Sequence, residues 1–179
     1  MGQSKVPEAK APEAQLAAFL AKYTDEIVAL GESILDEMRR LYPTALELVY
    51  DNYNALAIGF GPTERPSEAI FSIAVFPRWV SLFFLQAMGL PDPDRILRGN
   101  GKVARHVVLT SPAMLHEPAV RELMREAVER ANVPIDPKGV HRLIIKSISP
   151  TQKPRRPGEK ATGAASKSKG KKAHSSAHA

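Results

Sequence analysis

The sequence has no cysteine among its 179 residues and only one tryptophan. The missing thiols exclude a disulfide framework, a thiolate metal site and a cysteine nucleophile. Long apolar runs are also missing, since even the stretch from Val80 to Leu85 is interrupted by Ser81. A membrane-spanning helix needs about 20 mostly apolar residues, and the N-terminus lacks the apolar core of a secretory signal. We therefore expect a soluble, cytoplasmic protein without a membrane segment.

Positive charge is concentrated at the C-terminus. The whole chain has a formal net charge of +6, but residues 1–150 hold 17 basic and 18 acidic residues, whereas residues 151–179 hold eight basic residues and one acid. The last 29 residues also lack aromatic side chains, valine, isoleucine and leucine, so they cannot bury enough apolar surface to offset the entropy of ordering. The sequence predicts a flexible N-terminus over 1–11, one domain over 12–150 and a disordered basic tail over 151–179.

Such a tail could contact DNA phosphates through its cations and release counterions. The alternative is a solubilising segment without a fixed partner, which composition alone favours. The side chains that would carry nucleic-acid contacts are Lys153, Arg155, Arg156, Lys160, Lys167, Lys169, Lys171 and Lys172.

Apolar spacing predicts three helices. Residues 12–22 and 25–42 carry stripes at helical spacing, either as two helices or as one continuous helix that ends before Pro43, and residues 118–131 carry the clearest stripe. Alternating apolar residues predict strands in between. One of these strands begins with Leu46, Leu48 and Tyr50, and others lie near 56–60, 71–75, 80–84 and 106–109. Residues 142–148 are either a late strand or an ordered strap.

These elements predict an α+β fold in which a curved antiparallel sheet packs against N-terminal and C-terminal helices. About 140 residues suffice for one hydrophobic core.

Two stretches carry a resemblance to a known family. They are Ile70 to Leu85 (IFSIAVFPRWVSLFFL) and Asp92 to Leu109 (DPDRILRGNGKVARHVVL), and the second contains a Leu-x-Gly-x-Gly-Lys-x-x-Arg pattern from Leu97 to Arg105. Over residues 15–130 the chain resembles the YdhG-like domain, a bacterial domain of unknown function. The resemblance implies helices on one face of a curved antiparallel sheet.

The chain departs from that family after its first strand. Many relatives carry Met-Pro-x-Tyr there, whereas this chain reads Tyr50-Asp51-Asn52-Tyr53-Asn54. Some relatives are described as frataxin-like iron chaperones, which makes iron handling an alternative function. The feature that such an analogy would use is the acidic face of the second helix, formed by Asp25, Glu32 and Asp36, because hard cations prefer carboxylate oxygens. A solvated helix face explains the same spacing.

A basic glycine loop is the main candidate ligand site. Gly99 and Gly101 could turn backbone N–H groups toward an anion, with charge from Lys102 and Arg105. Arg78 and Trp79 of the hairpin could add a cation and an aromatic wall, while Tyr50 and Asn52 could line a cleft at a strand bend. The alternatives are a simple glycine turn and a bend stabilised by Asx side chains.

No catalytic motif is present, so the sequence favours a non-enzymatic binding domain for a small anionic ligand or a protein partner. DNA association through the tail and iron handling are the alternatives. We expect no cofactor, no metal site and no membrane partner.

Overall fold

The computed structural model describes residues 11–159. Within them, α1 (Pro12–Leu20), α2 (Asp25–Leu41) and α3 (Pro118–Glu129) pack on one sheet. Its six strands are β1 (Leu46–Asp51), β2 (Leu56–Gly61), β3 (Phe71–Val75), β4 (Val80–Phe84), β5 (Arg105–Leu109) and β6 (Leu143–Ile148). The α+β class and the helices predicted around the sheet are confirmed.

The sheet is mixed rather than wholly antiparallel. Its strand order is β5-β4-β3-β2-β1-β6. The first five strands each pair antiparallel with their neighbours in sequence, but β6 runs parallel to β1. The expectation of an antiparallel sheet is therefore wrong for its last strand. The chain reaches β6 only after α3 and a long connection, and this connection allows β6 to enter the sheet in the same direction as β1.

The helices cover the face that carries the alternating apolar residues of β2, β3 and β4. Buried side chains on this face include Ile58, Ile73 and Leu82, which pack with Ile34 and Met38 of α2. Aligned residues of neighbouring strands share a face. This rule decides which side of β1 faces the helices.

In β1, the helix-facing residues are not the alternating leucines. Val49 aligns with Ile58, so Glu47, Val49 and Asp51 face the helices, while Leu46, Leu48 and Tyr50 lie on the opposite face. Both carboxylates are fully buried. An unpaired buried carboxylate is strongly unfavourable, and each of these two has cationic partners, which define the two sites described next.

Candidate functional site

Glu47 is the centre of a buried charge cluster. Its Oε1 and Oε2 accept hydrogen bonds from Arg39 Nε and Nη2 at 2.6 Å and 2.9 Å, and Oε1 lies 2.8 Å from His141 Nε2. The two-pronged contact is the strong geometry for an arginine–carboxylate pair. The hydrogen bond to Glu47 raises the pKa of the Arg39 guanidinium above its usual value. Glu47 therefore fixes one side chain of α2 and one residue just before β6.

Arg39 and His141 lie at the border of a cleft of about 510 Å³ between α1, α2 and the start of β6. The cleft combines an apolar floor with polar walls. The apolar side chains are Leu16, Ala17, Leu20, Leu35 and Leu143, and the polar ones are Glu13, Glu32, Asp36, Arg39 and His141. A concave, mixed surface of this kind is the usual form of a binding site.

The polar lining of the cleft is predominantly acidic. Glu13, Glu32 and Asp36 are exposed carboxylates, and the single arginine is already engaged by Glu47 and, at 3.4 Å, by Asp36. Among the described residues, neither Glu13 nor Glu32 has an ion-pair partner. The guanidinium of Arg39 already donates to Glu47 and Asp36. The exposed carboxylates of Glu13 and Glu32 favour a cationic ligand.

Asp51 forms a second cluster at the far end of β1. Its Oδ2 lies 2.5 Å from Lys22 Nζ and its Oδ1 lies 3.0 Å from Arg155 Nη2. Arg155 is only 3% exposed, its guanidinium lies 5.5 Å from the Tyr23 ring centroid, and it also donates to the carbonyl oxygen of Asn52. Residues 151–159 are consequently attached to the domain by a buried ion pair.

The expected boundary at Pro150 therefore requires correction. The segment after it is ordered against the domain, and the buried Arg155 is not available for the nucleic-acid contact that the sequence suggested. Lys153 and Arg156 are exposed. The other cations predicted for nucleic acid (Lys160, Lys167, Lys169, Lys171 and Lys172) and residues 1–10 of the predicted flexible N-terminus lie outside the described residues.

The structure does not bring the predicted anion-site residues together. Arg78 and Trp79 lie in the turn between β3 and β4, where Trp79 stacks on Phe76 at 4.9 Å between ring centroids. Arg105 pairs with Phe84 at the other end of β4, and its Nη2 donates to the Leu97 carbonyl oxygen at 2.6 Å. The single basic cleft that the sequence suggested is therefore not formed.

The other predicted ligand residues are also dispersed. Tyr50 lies on the helix-free face of β1 and borders a cavity of about 180 Å³ with Leu48. Its buried hydroxyl has no hydrogen-bond partner among residues 11–159. Asn52 is exposed in the turn after β1, and Lys102 is exposed in the glycine loop. Three strands separate β1 from β5, so Tyr50 and Arg105 cannot line one small pocket.

The glycine pattern has a backbone explanation. Gly99 has φ +99°, which disfavours a residue with a side chain, and a Cβ at Gly101 would lie 2.5 Å from the Ala104 carbonyl oxygen. Arg98 and His106 close this loop with paired backbone hydrogen bonds of 2.7 Å and 3.0 Å. The turn interpretation explains both glycines without a ligand.

The acidic face of α2 is divided by the fold. Glu32 and Asp36 line the cleft, whereas Asp25 begins the helix and does not. Between residues 11 and 159, no group of three or more histidine or acidic side chains is arranged to hold a metal ion. The face instead contributes two carboxylates to the cleft.

Sequence reasoning missed Glu47, Arg39 and His141. The alternation of Leu46, Leu48 and Tyr50 predicts a strand but does not show what Glu47 contacts. The partners of Glu47 are separated from it in sequence, Arg39 by 8 positions and His141 by 94. The apolar pattern of the strand therefore does not reveal them.

None of the helices in residues 11–159 combines the length and the apolar character that a membrane-spanning segment requires. No protein-family model, curated protein or solved structure matches the chain. The resemblance to the YdhG-like domain therefore stays a prediction.

Proposed function

We propose that the chain is a non-enzymatic binding domain and that its cleft takes a cationic, amphipathic segment of a partner protein. The observation that carries this proposal is the acidic, apolar-floored cleft of about 510 Å³ between α1, α2 and β6. Lysine or arginine side chains would meet Glu13 and Glu32, while apolar side chains would lie against Leu16, Leu20 and Leu143.

The cleft suits a cation better than the small anion that the sequence suggested. An incoming carboxylate or phosphate would have to displace Glu47 from Arg39, and Glu47 is fully buried, so its carboxylate would lose that partner away from solvent. Removing one partner of a buried ion pair is unfavourable by about 3–5 kcal/mol. A cationic ligand leaves this pair intact and gains new partners at the cleft border.

A peptide titration of the intact chain tests the proposal. The probe is a short synthetic peptide with lysine and leucine at helical spacing, and a version with glutamate for lysine is the peptide control. We expect the lysine peptide to bind and the glutamate peptide not to bind in isothermal titration calorimetry. Neutralising Glu13 and Glu32 together (Glu13→Gln and Glu32→Gln) should weaken binding by about tenfold, since each exposed pair contributes up to about 1 kcal/mol.

The matched control neutralises two exposed glutamates outside the cleft, Glu26→Gln and Glu117→Gln, and gives the same net charge. It should leave the affinity within about twofold of the original. Equal weakening by both pairs would show that only overall charge matters and would overturn the site assignment.

DNA association is the alternative function. Lys153 and Arg156 are exposed where the tail leaves the domain, and the tail beyond them is rich in lysine. Salt-sensitive binding of the intact chain to duplex DNA, together with no binding of the lysine peptide, would favour a nucleic-acid function.

A further inference from the structure

We infer that residues 160–179 of the same chain occupy this cleft when no partner is bound, so that the basic tail is a competitive, internal ligand. This inference rests on the proposed function, because it assigns an occupant and a form of regulation to the same cleft. It follows from where the described chain ends, how far the remaining residues reach and what charge they carry.

The chain leaves the domain beside α1, which forms one wall of the cleft. Arg155 is buried on Asp51, and the next residue, Arg156, donates from Nε and Nη2 to the carbonyl oxygens of Lys22 and Ala21, at 3.3 Å each. These carbonyls lie directly after the C-terminal end of α1. Gly158, with φ +87°, allows the backbone to turn there.

The remaining residues reach the cleft easily. The helix α1 has nine residues, which at 1.5 Å per residue is about 14 Å from end to end. The 20 residues after Glu159 span up to about 66 Å when extended and about 25 Å as a flexible coil. Either length exceeds the distance along α1 from Ala21 to Glu13.

The charge of the tail complements the charge of the cleft. Residues 160–179 contain five lysines and no acidic residue, and the cleft presents Glu13, Glu32 and Asp36. Tethering also raises the effective concentration of a ligand on the same chain, to the millimolar range for a short tether. A contact too weak to detect between separate molecules is therefore populated within one chain.

The tail contacts the apolar floor of the cleft only weakly, so a partner with apolar side chains can displace the tail. It has no large apolar residue, so only alanine methyls and the aliphatic stems of lysine can contact the floor formed by Leu16, Leu20 and Leu143. A partner segment with both lysine and leucine buries more apolar surface there. Such a partner competes successfully, whereas a merely basic segment does not.

A spin label on the tail tests the contact directly in the intact chain. Because the protein has no cysteine, Ser175→Cys provides a single attachment site three residues after Lys172. We expect paramagnetic broadening of the amide signals of Ala17, Leu20 and Asp36, and little at the amide of Lys102, which precedes β5 at the opposite edge of the sheet from β6. The broadening should fall in the Glu13→Gln and Glu32→Gln variant but persist in the Glu26→Gln and Glu117→Gln control. Broadening that spreads evenly, or that ignores Glu13 and Glu32, would overturn the inference.

Competition separates this inference from the proposed function. In a tail-neutral chain, Lys160, Lys167, Lys169, Lys171 and Lys172 are all changed to glutamine. We expect it to bind the lysine–leucine peptide about threefold to tenfold more tightly than the intact chain, since an internal competitor has been removed. Equal affinities would overturn the inference and leave the proposed function standing. Cleft-specific broadening without peptide binding by either chain would overturn the proposed function and retain the tail contact.

Discussion

Arg155 Nη2 donates to Asp51 Oδ1 over 3.0 Å, although the two residues are 104 positions apart. Both side chains are buried, and Lys22 completes the cluster from the turn after α1. The ion pair joins three distant parts of the chain at the end of β1. It attaches residues 151–159 to the rest of the described chain.

Removing the buried guanidinium should destabilise the fold. We expect Arg155→Ala to lower the free energy of unfolding by about 2–4 kcal/mol, because Asp51 stays buried with Lys22 as its remaining cation. Urea denaturation measures this change. The control Arg156→Ala removes an exposed neighbour and should change stability by less than about 0.5 kcal/mol. Equal effects of the two substitutions would contradict the role given to Arg155.

Two shortened chains should differ sharply in stability. A chain ending at Pro150 loses Arg155 and leaves Asp51 with a single partner, so we expect it to melt well below the intact protein. A chain ending at Glu159 keeps the ion pair and should melt within a few degrees of the intact protein, since about 1 kcal/mol shifts the melting temperature by about 2–4 °C at this size. Calorimetry that finds both chains equally stable would show that residues 151–159 contribute nothing to the fold.

Alkaline pH should destabilise the protein through Tyr23. Burial raises the pKa of its hydroxyl from 10.0 to about 12, so the unfolded chain releases this proton first. The stabilisation is complete below pH 10 and is lost as the pH rises from 10 to 12, which amounts to about 3 kcal/mol. Tyr42 has a pKa raised similarly by burial and contributes in the same direction.

The Tyr23→Phe variant isolates this contribution, because Tyr42 is unchanged in both proteins. At neutral pH it should be less stable by about 1–3 kcal/mol, since the Leu56 N–H and the Val75 carbonyl lose hydrogen bonds of 2.9 Å and 2.8 Å to the hydroxyl. Its stability should then fall less steeply than that of the original protein between pH 10 and 12. Parallel curves in urea denaturation at several pH values would contradict the buried titration.

The sequence predicted secondary structure well where one face of an element is apolar. The predicted helix over 118–131 is observed as Pro118–Glu129, and the strands from β2 to β5 lie close to their predicted positions. The evidence for each of these elements lies within its own segment, because the spacing of its apolar residues distinguishes a helix from a strand. The late segment 142–148, left open between a strand and a strap, is β6.

The orientation of β1 could not be predicted in the same way. Its two faces are both buried, one by leucines and the other by Glu47, Val49 and Asp51. Alternation separates the faces but does not show which one meets the helices. The deciding partners of the acids come from other elements, so the clusters and the cleft above Glu47 appear only when the chain is folded.

Substitutions at two adjacent alanines of α1 test the proposed binding cleft most directly. Ala17 lines the cleft and Ala18 does not, and both are exposed. Ala17→Arg places a cation and extra volume in the cleft, whereas Ala18→Arg adds the same charge outside it. In calorimetric titration with the lysine–leucine peptide, Ala17→Arg should weaken binding by about tenfold or more and Ala18→Arg by less than about twofold. Equal affinities of the two variants would contradict binding in this cleft.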